Sequence, residues 1–429
     1  MKRLALLLPL MLAACDQGHP PPKSNIGANP TLPAPDPQTI PTMRVNSTAP
    51  WPADAAPKAP DGFQVTRYAE NLRHPRWIYV LPNGDVLVAE SAPPPTRINS
   101  IESVVERWAD NRNGSAPASA NEITLLRDAD GDGKPETRAV FLRGLNQNIG
   151  MLLLNGWFYV ANTDGVVRYP YHDGETSIAA QGEKILDIPV GHHWTRNLIA
   201  SEDGKTIYVT VGSGSNIADK GLDIEKRRAD ILAIDPDGKH ERIYASGLRN
   251  PNGLGFEPQT HKLWTVVNER DQLGDDLVPD YLTGVTEGAF YGWPWSYWGG
   301  HVDDRVQPAN PAMVAKAIAP DYSLGSHVAP LGLAFYTGSL FPEHYRGGAF
   351  VGEHGSWNRA MMTGYKVVYV PFRHGKPAGE PEDFLTGFLP DVKEGVAYGR
   401  PVGVALGPKG ALLVADDVGN IVWRVGLKP

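Results

Sequence analysis

The sequence predicts an all-β fold, a six-bladed β-propeller, and three observations carry the prediction. The first is a repeat. "NLRHPRWIYVLPNGDVLVAES" from Asn71, "GLNQNIGMLLLNGWFYVANTDG" from Gly144, "GHHWTRNLIASEDGKTIYVTVGSGS" from Gly191, "ASGLRNPNGLGFEPQTHKLWTVVNE" from Ala245, "SHVAPLGLAFYTGSLF" from Ser326 running on to "GGAFVGEHGSWNR", and "AYGRPVGVALGPKGALLVADDVGNIVWRV" from Ala397 are worn copies of one unit. The second is the form of the unit: a polar loop, an apolar strand, a turn and a second apolar strand ending in Gly, Asn, Asp or Glu, the pattern of radially repeated sheets. The third is that 429 residues, 41% of them hydrophobic, show one composition break, as a long single unit would.

In chain order, Lys2-Arg3 followed by the apolar run Leu4 to Ala14 reads as a signal peptide over residues 1–14, too short to span a bilayer as a mature helix. Leu12-Ala13-Ala14-Cys15 resembles the bacterial lipobox, which makes Cys15 the lipidated first residue of the mature chain; an ordinary signal peptide that carries a cysteine is the alternative. Asp16 resembles the signal that retains enterobacterial lipoproteins at the inner membrane, so the expected location is the periplasm, lipid-anchored to that membrane. Cys15 is the only cysteine, so an exported chain would hold no internal disulfide. Residues 15–60 are crowded with Pro, Ala, Asn and Ser and suit an extended tether, with the propeller over 61–429.

"FQVTRYAENL" and "WIYVLPNGDVLVAES" read as strands, the latter a hairpin about Pro82-Asn83-Gly84. Pro93 to Ser119 is a polar inserted loop with a short helix at "NSIESVVERWAD". Asp271 to Ala319 is a second insertion, and its "GAFYGWPWSYWGG" suits either a packed buttress or a pocket wall. Between them, Asp128, Asp130 and Asp132 alternate ahead of Gly133 and resemble the start of a calcium loop, although Ala139 stands where the bidentate Glu belongs. The turn is read as a calcium site or as a solvated acidic hairpin. A net charge of −8 without a basic stripe excludes nucleic acid as a partner.

The polar loops that open the repeats meet at one end of a propeller channel. They supply His193, a base at neutral pH, Gln147 and Asn148 as neutral donors, and Arg249, Asn250, Trp357, Arg359 and Arg400. Three arginines at corresponding loop positions suit a ligand with several carboxylates or phosphates. Each also has a duller role: a structural imidazole, a turn cap, a surface ion pair.

"LRNPNGL", "HGSWNR", "YGRPVGVA" and "DDVGNIVWRV" resemble the soluble sugar dehydrogenases that use pyrroloquinoline quinone (PQQ), specifically the aldose sugar and sorbosone dehydrogenase branch, from about Phe63 to the C-terminus. The resemblance implies a quinone at the channel mouth with calcium and oxidation of an aldose or aldehyde sugar. It makes His193 the base, Gln147, Arg249 and Asn250 contacts of the quinone, and Arg359 and Arg400 holders of its carboxylates. It sets calcium near Arg270 and Asp271, with Asp275 and Asp276 behind. His192 stands where the glucose-oxidising branch has an acid, and Arg359 where it has a lysine. With no haem, iron–sulfur or dinucleotide motif in the chain, electrons would pass to an external acceptor, a cytochrome or a membrane quinone. A calcium-dependent propeller lactonase or esterase and a non-catalytic binding propeller are the alternatives; three channel arginines do not suit a neutral lactone.

Overall fold

The structure, a computed structural model, describes residues 18–38, 42–96, 98 and 101–428; the signal peptide, Cys15 and Asp16 lie outside them. Six four-stranded antiparallel sheets follow one another along the chain. Blade 1 comprises Pro75–Val80, Val86–Glu90, Glu122–Arg127 and Thr137–Arg143. Blade 2 runs from Met151–Leu154 to Glu183–Asp187, blade 3 from Leu198–Ala200 to Arg242–Ser246, blade 4 from Asn250–Phe256 to Tyr322–Ser326, and blade 5 from Pro330–Phe335 to Glu382–Leu385. Blade 6 takes Pro401–Leu406, Leu412–Asp416 and Ile421–Leu427 from the end of the chain and its fourth strand, Phe63–Ala69, from the beginning. That pairing joins the two ends of the chain in one blade and closes the six-bladed propeller.

The repeat has a packing cause. Gly150, Gly253, Gly332 and Gly403 lie at or beside the innermost strands of blades 2, 4, 5 and 6. A side-chain carbon on any of them would come within 3.0 Å of the neighbouring blade's backbone, at Asn197, Leu333, Val402 and Arg76 respectively. Inner strands therefore approach backbone to backbone, which only glycine permits. Farther out, the blades pack through large side chains: Phe141 of blade 1 lies edge-on to Phe158 of blade 2 at 5.1 Å. Phe63 of the closing strand packs against Phe341, Tyr345 and Phe384 of blade 5, at 4.8, 5.5 and 5.2 Å.

With strands running alternately up and down, the connections between blades and those joining second to third strands share one end, here called the mouth. The hairpin at Pro82-Asn83-Gly84 and the acidic turn after Arg127 are at the other. The insertion in blade 1 forms the helix Ile101–Arg112 at the mouth. The insertion of blade 4 is a buttress: buried Arg270 donates to the carbonyls of Pro294 and Ser296 at 2.7 and 2.6 Å and pairs with Glu269 and Asp303, while Trp293 donates to the Asn216 carbonyl at 3.0 Å.

The N-terminal segment departs from the expected tether. Its described residues from Gly18 onward lie against the propeller. Asn25, fully buried, donates to the Asp276 carbonyl and to Ser326, and Gly27 pairs with Ser323. Asp36 and Gln38 donate backbone N–H groups to Leu273 and Gln272, Ser47–Thr48 pairs in parallel with Val396–Ala397, and Lys58 bridges Thr386. Trp51 is 9% exposed, donates to Asp416 at 2.8 Å and sits edge-on to Trp423 at 5.1 Å. The attachment runs through backbone groups and isolated side chains, so no periodic apolar face announces it. Trp51→Ala should cost about 3–5 kcal/mol, the range for removing a buried aromatic. A chain shortened to begin at Asp61 should lose at least as much. Urea denaturation decides; a loss below about 1 kcal/mol for both would show that the segment is the free tether its composition suggests.

Candidate functional site

His193 lies on the connection from blade 2 to blade 3, and a buried cation fixes that loop. Arg196 donates from one terminal nitrogen to the carbonyls of His193 and Thr195 at 2.9 and 2.7 Å, and from the other to Pro189 at 3.2 Å. Thr195 donates to Asn252 at 2.7 Å, and Asn252 donates to the Asn250 carbonyl at 3.1 Å, which ties the loop to "RNPNG". Between them sits Gly212: a side-chain carbon there would be 2.6 Å from His193 Cβ and closer still to Asn250 Oδ1. His193 and Asn250 are thus held on the two sides of one glycine.

The state of the imidazole follows from its partners. His193 Nδ1 lies 2.9 Å from the Ser213 carbonyl and 3.0 Å from Ser213 Oγ, whose own proton goes to the Ser215 carbonyl at 2.7 Å. Both oxygens can only accept from the ring, so Nδ1 carries the proton and Nε2 keeps its lone pair. Burial, with Arg249 and His192 nearby, pushes the imidazolium pKa well below its ordinary value. The result is a neutral imidazole with a basic nitrogen and no protein partner among the described residues.

Arg249, expected to face a quinone, spends all five N–H groups on the protein. Its Nε donates to the Asn216 carbonyl, Nη1 to Glu269 and Asn268 carbonyls, and Nη2 to Asn216 Oδ1 and to Asp271, at 3.1, 2.6, 3.5, 2.9 and 3.1 Å. It supplies charge beside His193 and no free hydrogen bond. Arg270 and Asp271, the expected calcium position, do not form a cation cradle. The Arg270 side chain is the buried centre of the buttress. The Asp271 carbonyl accepts from Arg305 at 3.1 Å, and its carboxylate lies 3.1 Å from Arg249 and 3.5 Å from His327. Three basic side chains already serve the oxygens of Asp271.

A second cluster forms where blades 5, 6 and 1 meet, and only Arg400 of it was singled out from the sequence. Arg400 donates to the carbonyls of His354 and Gly355 at 2.9 and 3.0 Å and to Ser115 Oγ at 3.2 Å, leaving two of its N–H groups unused among the described residues. His354 donates to buried Asp417 at 2.9 Å, Arg76 pairs with the same carboxylate, and His74 lies 3.4 Å from it. Burial holds His74 and His354 neutral, pushed down to about 4 and about 3. The Arg76 guanidinium lies 5.4 Å from the Trp194 ring, next to His193, so blade 1 meets the base-bearing loop of blade 3. His74 and Arg76 sit together at the start of blade 1's innermost strand, His354 opens "HGSWNR" and Asp417 lies in "DDVGNIVWRV", but nothing in those segments shows that the four meet.

Of the remaining expected residues, Gln147 (φ 44°) is fixed by its N–H to Asn121, and its side chain has no partner among the described residues. Asn148 donates to the Glu122 carbonyl; Asn148 Oδ1 and Asn250 Oδ1 are buried without a partner. Arg359 is not brought to this group: fully buried, it donates to the His19 carbonyl and to Asp276, with Nε and Nη1 unpartnered. Asp275 accepts from Ala360 N–H, and Trp357 and His192 are exposed. At the opposite end, Asp128, Asp130 and Asp132 are joined by Glu136, all four offering oxygens within 4.8 Å of one another. Glu136 carries no calcium-loop signal in sequence because it stands three places before the position at which a calcium-loop glutamate belongs.

Residues 166–358 match the family model described as glucose/sorbosone dehydrogenase, and residues 304–426 match one described as TrAA12-like. The match to the glucose/sorbosone dehydrogenase model covers less than half of the chain. It is 34% identical over 235 residues to an uncharacterised protein of Borreliella burgdorferi, and 26% identical over 248 residues to an aldose sugar dehydrogenase of Escherichia coli. Each match covers 54% of this chain, and they span 60% and 58% of those relatives' lengths. In fold, it is similar to the holo form of the PQQ domain of pyranose dehydrogenase from Coprinopsis cinerea, with a TM-score of 0.70 at 20% identity over 89% of this chain and all of that one. The family model spans His193, Arg249 and Asn250 but stops before Arg359 and Arg400.

The neutral state of half-buried His193 has a direct readout. Its ring signals in nuclear magnetic resonance, assigned by their loss in His193→Gln, should hold the neutral position as the pH falls through the ordinary midpoint of about 6.5 and on to about 5.5. A midpoint near 6.5 would show that the imidazole is solvated and free.

Proposed function

We propose that the protein oxidises an aldose or related aldehyde sugar, glucose- or sorbosone-like, with PQQ held at the propeller mouth. One observation carries the reading: the neutral His193, with Nε2 free, stands beside guanidinium groups at the convergence of the six blades. The bound quinone would supply a two-electron acceptor for the hydride that leaves the sugar carbon. The chain's own part is to take and place charge. His193 Nε2 removes the hydroxyl proton, and the Ser213 carbonyl, accepting from Nδ1, steadies the ring as it becomes cationic. The Arg249 charge acts on developing negative charge through the site's low dielectric without needing a free N–H.

The quinone's carboxylates are matched by the unused N–H groups of Arg400 and the unpartnered Arg76 Nε. Its ring oxygens and nitrogens are matched by Gln147, Asn148 and Asn250. Arg359 reaches such a ligand only if its bonds to His19 and Asp276 give way. A lactonase needs acidic ligands around a channel cation, and Asp271 with three basic side chains against it does not suit one. Calcium belongs at the acidic turn, where Asp128, Asp130, Asp132 and Glu136 supply hard oxygens. The chain is exported and lipid-anchored at Cys15, with Asp16 favouring the inner membrane, and its electrons pass to an external cytochrome or membrane quinone.

With PQQ added, the protein should gain an absorbance that bleaches with aldose. His193→Ala should keep the chromophore and lose about 10²–10⁴ in kcat. Near-normal turnover in that variant would remove His193 as the base, and an unchanged spectrum on adding PQQ would remove the dehydrogenase reading in favour of a binding propeller. For the acidic turn, calcium at about a hundredfold above Kd should add about 2.7 kcal/mol to stability. A chelator should reverse the gain, and Asp130→Asn with Asp132→Asn should abolish it; equal melting curves with calcium and chelator would show a solvated turn.

A further inference from the structure

The helix Ile101–Arg112 is amphipathic and faces the wrong way for a soluble protein. Val104, Val105 and Trp108 share one side at helical spacing and are 49%, 40% and 55% exposed, while Ser103 and Asp110 on the other side turn inward, Asp110 accepting from Thr96. Apolar side chains around it are likewise turned out: Val190 on the blade 2 to blade 3 connection is 64% exposed, Ile224 in the long blade 3 loop 43%, and Trp357 in the blade 5 loop 41%. All six stand on connections at the mouth, spread over three blades. A rim of exposed valine, isoleucine and tryptophan on one end of a soluble fold marks a contact surface.

The N-terminal segment indicates what covers it. Gly18 is seated on the same end, where a side-chain carbon would touch Ala360 and the Met361 backbone in the blade 5 loop, and His19 lies against Asp276 and Arg359. Three peptide units separate Gly18 from Cys15, a reach of at most about 11 Å. A lipid on Cys15 therefore leaves the mouth no room to hang away from the membrane.

We propose that the mouth end of the propeller lies on the lipid bilayer, with the helix Ile101–Arg112 and the rim of Val190, Ile224 and Trp357 seated in the headgroup region. The inference rests on the lipoprotein reading for its tether and on the exposed rim for its contact surface. Tryptophan is favoured at the headgroup level, and an amphipathic helix with its apolar side outward is the form of an interfacial contact. In this pose the channel opens toward the membrane, so a lipid-soluble acceptor has the shorter path to the site than a soluble one.

Cys15 being the only cysteine makes the test clean, because lipidation blocks it and an introduced thiol is then the only one to label. Val190→Cys marks the mouth, and Lys205→Cys, in the turn between the first two strands of blade 3, marks the opposite end. In vesicles of phosphatidylethanolamine and phosphatidylglycerol with nitroxide-bearing headgroups, a dye at 190 should be quenched at least about threefold more than one at 205. Equal quenching in a lipidated protein overturns the docking and leaves the anchor standing. Protection of the 190 label only when a soluble cytochrome is added also overturns it, in favour of a protein partner. If the mass of the N-terminal peptide shows no lipid, the anchor reading fails separately, and the full chain with Cys15→Ser still decides the contact surface. That protein should sediment with the same vesicles at least about fivefold better than its Val104→Ser, Val105→Ser, Trp108→Ser variant, whose changes are all at exposed positions. Equal sedimentation overturns the proposal.

Discussion

The pairing of Phe63–Ala69 with Ile421–Leu427 is the constraint on which the rest depends, because it turns a row of sheets into a ring. In a ring, loops far apart in sequence are neighbours by geometry. Trp194 can meet Arg76, and Asp417 can collect His74 and Arg76 from one distant segment and His354 from another. The glycines on the inner strands set how tightly the ring closes, since each brings one backbone within 3.0 Å of where a side chain would stand. Losing the closing strand would free an edge and also the aromatic packing of Phe63 against blade 5.

Charge at the mouth is arranged by burial more than by number. Arg196 and Arg249 are both buried and both near His193: Arg196 holds the loop through its terminal nitrogens, with Nε unpartnered among the described residues, and Arg249 is filled by Asn216, Glu269 and Asp271. Their shared effect is to keep a proton off the imidazole. The imidazole needs that state to act as a base, and the fold supplies it without a carboxylate partner on the ring. The carboxylate in the neighbouring cluster, Asp417, is spent on Arg76 and His354 and holds the far wall. Breaking such a buried pair costs about 3–5 kcal/mol, so its place is structural as much as electrostatic.

Much of this was legible in the sequence, and what was not has physical reasons. The blades could be read because a polar loop, an apolar strand, a turn and a second apolar strand recur six times over, with a glycine at or beside the inner strand in four of them. The loop positions of His193, Asn250 and Arg400 followed from the repeat. Arg249 and Arg359 illustrate the limit: a loop arginine shows its charge in sequence but not which carbonyls it satisfies. Asp271 reads as a cation ligand in sequence, which does not show that Arg305, from farther along the same insertion, donates to its carbonyl. The N-terminal segment was hidden because backbone pairing and three separated side chains, Asn25, Leu32 and Trp51, leave no periodic signal. His74, Arg76, His354 and Asp417 are not legible as a group because they come from three segments that only the closed ring brings together.

A crystal structure of the protein with bound PQQ tests the central claim most directly. The account predicts the quinone at the mouth, its carboxylates on Arg400 and Arg76, and an open space for a sugar hydroxyl within hydrogen-bond reach of His193 Nε2, about 2.6–3.2 Å. A quinone seated elsewhere on the ring, or one bound at the mouth with His193 Nε2 turned away into the protein, would contradict it.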